Sequence, residues 1–447
     1  MLFTNSEKII ENGKTSELKK IRKDVLEIFS AAIDAVDPYD SVKSKFIDGK
    51  ILVNGKKFDL SNFGNIYLIS FGKASIGMSK AVCDSIKISK GVIITNEPQG
   101  KLNNKNVSIF YGGHPIPNEN GMKGTENAVE LVKKCNEKDL LIVLISGGGS
   151  ALFAKPKVSL DDLQRTTDLL LKSGANINEI NTIRKHLSFV KGGQLLKSVK
   201  CKVISLIISD VINDPLEFIA SGPTCPDSTT YRDAKNILEK YNLYSKIPNS
   251  VITIIEDGIS GKIPETPKKD NPIFKNVDNF IVANNQIACK AAYNKAEKLG
   301  YRSLILTTSL KGEARDIGQY LVEKAINHLT EDKKIAFISG GETTVTIKGN
   351  GHGGRNQEMV LSAINLLNNE KVVFSSLATD GVDGKSNAAG AIADAFSYTK
   401  AKNKNLDIQN FLDENNSYEF FKKMDDLLIT GPTGTNVMDI QILIKYY

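Results

Sequence analysis

Two hydrophobic periods alternate along this chain. Leu18, Ile21, Val25, Ile28, Ala32 and Val36 recur at helical spacing and predict one long amphipathic helix over 17–36, ended by Asp37-Pro38. Short unbroken apolar runs follow. They predict strands at 65–70, 91–95, 107–111, 140–145 and 203–208, and again at 280–283, 303–308, 335–338 and 372–377. Between them, helices are predicted at 119–135, 230–241, 249–256, 286–299 and 313–328, with another opening at Asn356. Residues 344–348 alternate like a half-exposed strand, 387–393 reads as a helix of small residues, and LLITGPTGTNVMDIQILI reads as a closing hairpin. The stretch 258–276, with Pro264, Pro267 and Pro272, has no period and reads as a linker. The expectation is an α/β protein of two α/β domains, 1–257 and 277–447, with a ligand groove between them.

The polar chemistry gathers where these strands end, which is where open parallel sheets bind ligands. The stretch 333–364 is the fullest case. Its apolar run breaks into Ser339-Gly340-Gly341-Glu342, and a loop with Gly349, Gly351, Gly353 and Gly354 then leads to Arg355, Asn356 and a helix. Glycine lets backbone N–H groups approach an anion, a helix start adds unpaired donors, and arginine adds a planar cation. Together they predict a phosphate or carboxylate site, with Glu342 at hand for a metal or a hydroxyl. A similar turn, Ser146-Gly147-Gly148-Gly149-Ser150, ends the most apolar run in the chain. Lys73 stands at a strand-to-helix turn, Asp210 follows 203–208, and Asp380 and Asp383 follow 372–377. Acids so placed can hold Mg²⁺ or take a hydroxyl proton.

Other groups admit two readings. Arg184, Lys185, His186 and Lys191 form either a basic group at helix ends or a solvated face. His114, in a stiff Gly/Pro loop, is either a ligand or base or a structural residue. Gly349-x-Gly351-x-x-Gly354 has the form of a dinucleotide fingerprint, with Asp380 in the place of the ribose acid. The alternating TTVTIK before it is not the buried run that such a site needs.

Composition narrows the partners. The 58 basic and 51 acidic residues leave a formal charge of +7, spread thinly and without a basic stripe. This argues against nucleic acid and suits small anionic substrates. Five cysteines stand far apart with no CxxC pair, which argues against a disulfide framework or a zinc site. No signal core and no membrane-length run is present, so no membrane partner is expected and a cytoplasmic location is. The oligomeric state is open, a homodimer included.

LISFGKASIGM, GHPIPNENG, LISGGGSALF, INTIRKHLSFVKGGQL, IISDVINDPLEFIASGPTCPD, ISGGETTVTIKGNGHGGRNQE, ATDGVDGKSNAAGAIAD and LLITGPTGTNVMDI resemble the glycerate 2-kinase family with its MOFRL C-terminal domain. The resemblance runs from about Lys19 to the C-terminus. It implies ATP-dependent phosphorylation of D-glycerate to 2-phosphoglycerate, with ATP as co-substrate and Mg²⁺. It also implies a Rossmann-like larger domain and a smaller mixed-sheet domain around the groove. Lys73 and Arg355 are then the groove's cations, and Asp210, Glu342 and Asp380 its acids. Lys73, Asp210 and Arg355 are expected to be catalytic. Ser146 to Ser150, Arg184, Lys185, Glu342 and Asn356 are expected to bind substrate or nucleotide, and Asp380 and Asp383 to bind metal. Asn387 departs from the family pattern where an acid is expected, and His352 occupies a variable loop position. Some relatives have been described as hydroxypyruvate reductases, so NAD(P)H-dependent reduction is the alternative.

Overall fold

Unbroken apolar runs belong to strands covered on both faces, and such runs build the first sheet. The computed structural model describes residues 2–98, 100–329 and 334–447, so Lys333, where the glycine-rich stretch begins, lies outside the described residues. The sheet's strands are Ile66–Phe71 (β1), Lys90–Thr95 (β2), Val107–Tyr111 (β3), Leu140–Ile145 (β4), Lys202–Ile208 (β5) and Val277–Ala283 (β6). Their order is β3-β2-β1-β4-β5-β6, and every pairing from β3 through β5 is parallel. This is the order of dinucleotide-binding sheets, in which the winding reverses between the first and fourth strands. All of β4 is buried. Beneath the strand ends the rings of Phe71 and Phe153 stack at 4.2 Å. A small antiparallel sheet of Phe46–Ile47, Lys50–Val53 and Lys56–Asp59 completes this unit, which spans Pro38–Val282.

The second unit joins Met1–Asp37 to Ala283–Tyr447. Its strands are Arg302–Leu310 (β7), Lys334–Gly341 (β8), Val372–Ala378 (β9), Gly390–Ala393 (β10), Leu427–Leu428 (β11) and Asp439–Tyr446 (β12). The order is β7-β8-β12-β9-β10-β11. Only β7 and β8 run parallel; the other pairings are antiparallel, so the sheet is mixed, as expected. The helix predicted at 17–36 is present as Ser16–Asp34. Thr15 caps it by accepting a hydrogen bond from the Leu18 N–H at 3.1 Å. Its apolar face packs on the helix Asn285–Lys298.

The boundaries differ from those expected, for a physical reason. Helix Ser16–Asp34 belongs to the second unit because Arg22, 1% exposed, is held there by Asp394 at 2.7 Å and Asp426 at 2.6 Å. The strand at 277–283 belongs to the first sheet. The stretch 258–276 is not a free linker either. Glu265 accepts from the Tyr231 N–H at 2.8 Å, and the Thr266 hydroxyl donates to buried Asp227 at 2.9 Å.

Three local readings also change. The small residues 390–393 form β10, squeezed between β9 and β11, where a bulkier run would not fit the buried pairing. The two terminal apolar runs do not pair with each other: β11 lies on β10, whereas β12 inserts between β8 and β9. Residues 344–348 form no strand beyond a single bridge from Thr344 to Glu313, so side-chain alternation there reflects only intermittent packing.

Arg22→Ala would leave buried Asp394 without this cation and Asp426 with only Lys400, at 3.5 Å. Breaking such a pair costs about 3–5 kcal/mol. The expected outcome is a loss of that size in denaturant unfolding, and a loss under 1 kcal/mol would contradict this account.

Candidate active site

In the first unit the ends of β1, β4 and β5 interlock. Ser146 follows β4, and its hydroxyl accepts from the Ala74 N–H at 3.1 Å, while the Lys73 N–H donates to the Gly147 carbonyl at 2.9 Å. A Cβ on Gly72 would lie 2.2 Å from Ser146 Oγ, and one on Gly147 would lie 2.2 Å from Asp210 Oδ2. Both positions therefore require glycine, since no real side chain fits. Gly148 lies between the ring of His114 and the stem of Lys73. Gly149 begins a single turn, Gly149–Leu152, that rests against Ala220. One small surface thus collects a lysine, an imidazole, a carboxylate and a glycine turn at the switch point of the sheet.

Electrostatics suits these groups to proton and anion chemistry. Burial raises the carboxyl pKa of Asp210, opposed by its own backbone N–H and by the charge of Lys73. Desolvation lowers the His114 ring, and the charge of Lys73 lowers it further. The segment after Asp210 is held under strain: Ala220 and Ser221 have φ of 51° and 60°, at a cost of order 1–3 kcal/mol each. Ser221 Oγ lies 2.8 Å from Ser150 Oγ and donates to Asn181 Oδ1 at 3.2 Å, which fixes the far end of the glycine turn. Sequence reasoning did not single out Ser221 or Asn181, because neither bears a charge and their contact joins segments 40 residues apart.

The basic residues 184–186 separate in the structure. Lys185 is fully buried and paired with Asp227 at 2.5 Å, so its expected role in nucleotide binding is corrected to a structural one. Ser146 likewise ties loops together beneath the surface. Arg184 is different: among the described residues its guanidinium has no hydrogen-bond or ion-pair partner, and burial lowers its pKa. Lys191 donates to the carbonyls of Ser150 and Phe153 at 2.7 and 3.0 Å, and burial pulls its amine down to about 7, helped by the charge of Arg184.

In the second unit the helix Arg355–Ser362 starts beside the ends of β8, β9 and β12. Arg355 Nε and Nη2 clasp Asp439 at 2.5 and 2.9 Å, and Nη1 meets Glu342 at 2.7 Å. Burial alone would lower the pKa of Arg355, but Asp439 and Glu342 hold it protonated. Asp439 faces Gly341 on β8 and Ala378 on β9, and its side chain is fully enclosed. It was not predicted, although an acid inside an apolar run calls for a cation. Asp383 is not available for a metal. Its carboxylate caps the helix, accepting from the backbone N–H of Asn356 at 3.1 Å and of Gln357 at 2.8 Å. Asn356 is buried as well, joined to Asp383 at 3.2 Å and accepting from Ser376 at 2.5 Å, so it supports the helix rather than facing a ligand. Asp380 is half-buried and uses Oδ1 to accept from the Val382 N–H. The loop 349–354 does begin a helix, but it lacks the buried strand that a dinucleotide fingerprint requires.

A six-stranded sheet of this order with polar groups gathered at its switch point defines a Rossmann-like α/β protein, and comparison with known proteins narrows the class. Residues 24–256 match DUF4147, a domain of unknown function, and residues 335–439 match the MOFRL family. The chain is 46% identical to glycerate 2-kinase of Pyrococcus horikoshii, over 95% of this chain and 97% of that one. It is 41% identical to D-glycerate 2-kinase of Thermotoga maritima, over 95% and 98%. The crystal structure of the Thermotoga maritima glycerate kinase superposes with a TM-score of 0.85, covering 96% of this chain and 100% of that one at 40% identity. The chain belongs to the MOFRL-type glycerate kinase family.

Burial pushes the carboxyl of Asp383 up to about 7, against the pull of the Gln357 N–H. A folded-state pKa above the unfolded value means that its contribution to stability is complete below about pH 4 and is lost as pH rises to about 7. Between pH 4.5 and 7.5 the melting temperature of Asp383→Asn should therefore gain on that of the wild type. Parallel pH profiles would show that Asp383 is ionised throughout.

Proposed function

We propose that this chain transfers the γ-phosphoryl group of ATP to D-glycerate, giving ADP and 2-phosphoglycerate. The carrying observation is the contact of Lys73, Gly147–Gly149 and Asp210 at the ends of β1, β4 and β5. Phosphoryl transfer asks a protein mainly for in-line positioning and for charge placed where it develops. The backbone donors of the glycine turn and the amine of Lys73 suit the transferred group. Asp210 suits the glycerate hydroxyl: it takes the hydroxyl proton as the new O–P bond forms, and the bond to the β-γ bridging oxygen breaks to release ADP. Its raised pKa makes it a better base than an exposed aspartate. Arg355, oriented by Asp439, carries the planar cation that suits a carboxylate.

Mg²⁺ fits this chemistry as a partner of ATP. Among the described residues no group of three or more His, Cys, Asp or Glu side chains is arranged to hold a metal. Mg²⁺ commonly binds through nucleotide phosphates and one or two carboxylates. Asp380 is the candidate for one such carboxylate, since its Oδ2 makes no hydrogen bond among the described residues. The ion would neutralise charge on the phosphates. Among the described residues no helix is long and apolar enough to cross a membrane.

Incubation with D-glycerate, ATP and Mg²⁺ should yield ADP and 2-phosphoglycerate by phosphorus NMR. The 3-isomer would overturn the regiochemistry, and absence of ADP would overturn the reading. Lys73→Ala should lower kcat by roughly 10²–10³-fold with folding intact. In the wild type, kcat/KM should fall as pH drops through the raised pKa of Asp210. Asp210→Asn should remove most activity and abolish that acid limb, and a retained limb would assign the base elsewhere.

A further inference from the structure

We propose that a slot beside the glycine turn of the first unit receives the nucleoside half of the phosphoryl donor. This inference rests on the ATP-dependent reading above. The slot is a cavity of about 130 Å³ beside the loop 115–117 and the helices Leu160–Lys172 and Ile177–His186. Pro117, Ala154, Leu163 and Leu187 contribute apolar wall. Ile116 and Leu171, 62% and 61% exposed, form its lip. Large apolar side chains left bare around a concave surface mark a ligand site rather than a folding requirement.

The polar groups of the slot are biased toward anions. Arg184 lines it with no hydrogen-bond or ion-pair partner among the described residues, and an unpaired guanidinium against apolar walls is costly. Lys155 adds positive charge, whereas Asp168 is already paired with Lys172 at 2.7 Å. Gln164 spends its amide N–H on the Pro117 carbonyl at 3.1 Å, which leaves its own oxygen to accept. Ser150 is shared between the slot and the glycine turn, and Pro115 in the slot adjoins His114 at the candidate active site. A ligand with a flat apolar body here would send its anionic end past Arg184 toward Gly147–Gly149 and Lys73. A nucleoside triphosphate has that polarity. Glycerate has no apolar body and cannot account for the slot.

Ile116→Asp and Leu171→Asp test this at exposed positions that folding does not need. The full chain would be titrated calorimetrically with adenosine, AMP, ATP and inorganic tripolyphosphate, and KM measured for ATP and glycerate. Each variant should weaken adenosine and AMP binding and raise the ATP KM by about tenfold, a shift of about 1.4 kcal/mol. Tripolyphosphate binding and the glycerate KM should stay near wild type. Arg184→Gln should weaken AMP but not adenosine. An active enzyme whose variants keep wild-type ATP KM and adenosine affinity would overturn the slot and leave the kinase reading intact. A chain that binds adenosine nucleotides, loses them in the variants, yet phosphorylates no glycerate would uphold the slot and overturn the kinase reading.

Discussion

The closeness of three backbone loops is the constraint on which the first unit's chemistry depends. Lys73, the turn 147–149 and Asp210 come together only because nothing projects from Gly72 toward Ser146 or from Gly147 toward Asp210. A parallel sheet supplies the ends of its strands side by side, about 4.8 Å apart, but it does not bring their loops into van der Waals contact. The missing Cβ atoms do that. The stacked rings of Phe71 and Phe153 and the hydrogen bond from the Ala74 N–H to Ser146 then lock the contact from below.

The second unit solves a different problem, which is how to hold acids inside an apolar sheet. Asp439 and Asp383 are both enclosed, and burial alone would drive both toward the neutral form. Each is compensated by a group at the start of one helix. Arg355 gives Asp439 a two-pronged ion pair, and the Asn356 and Gln357 N–H groups give Asp383 a helix end. The orientation of Arg355 therefore follows from the helix itself, with the acid behind it acting as a stop. The exposed side of the same guanidinium is left to Glu342, which is far more accessible than Asp439.

What was legible in the sequence were features whose cause is local. Apolar runs gave the strands because both their faces are covered, and the glycine turns and Lys73 lay where those runs stop. Features that depend on distant partners were not legible. Lys185 and Arg184 are neighbours in one helix, yet one is enclosed by Asp227, 42 residues on, and the other faces a slot. Asn356 looked like a ligand-binding group at a helix start, but Ser376 and Asp383 claim it. The segment 387–393 has the small residues of either a tight helix or a crowded strand, and only the neighbours β9 and β11 decide between them. The unit boundary was misplaced because the partners of Arg22, Asp394 and Asp426, lie 372 and 404 residues away.

That separation has a consequence for how the molecule is made. The unit Pro38–Val282 is continuous and can close as soon as it has left the ribosome. The helix Ser16–Asp34 emerges earlier still, carrying an apolar face and Arg22 with nothing to receive them. The final strand, β12, is not an edge strand but the central one that joins β8 to β9. Its partners on both sides must therefore be synthesised and kept from pairing elsewhere until β12 itself is made. The helix Ser16–Asp34 and β12 belong to the same unit, so that unit cannot close until β12 has been made.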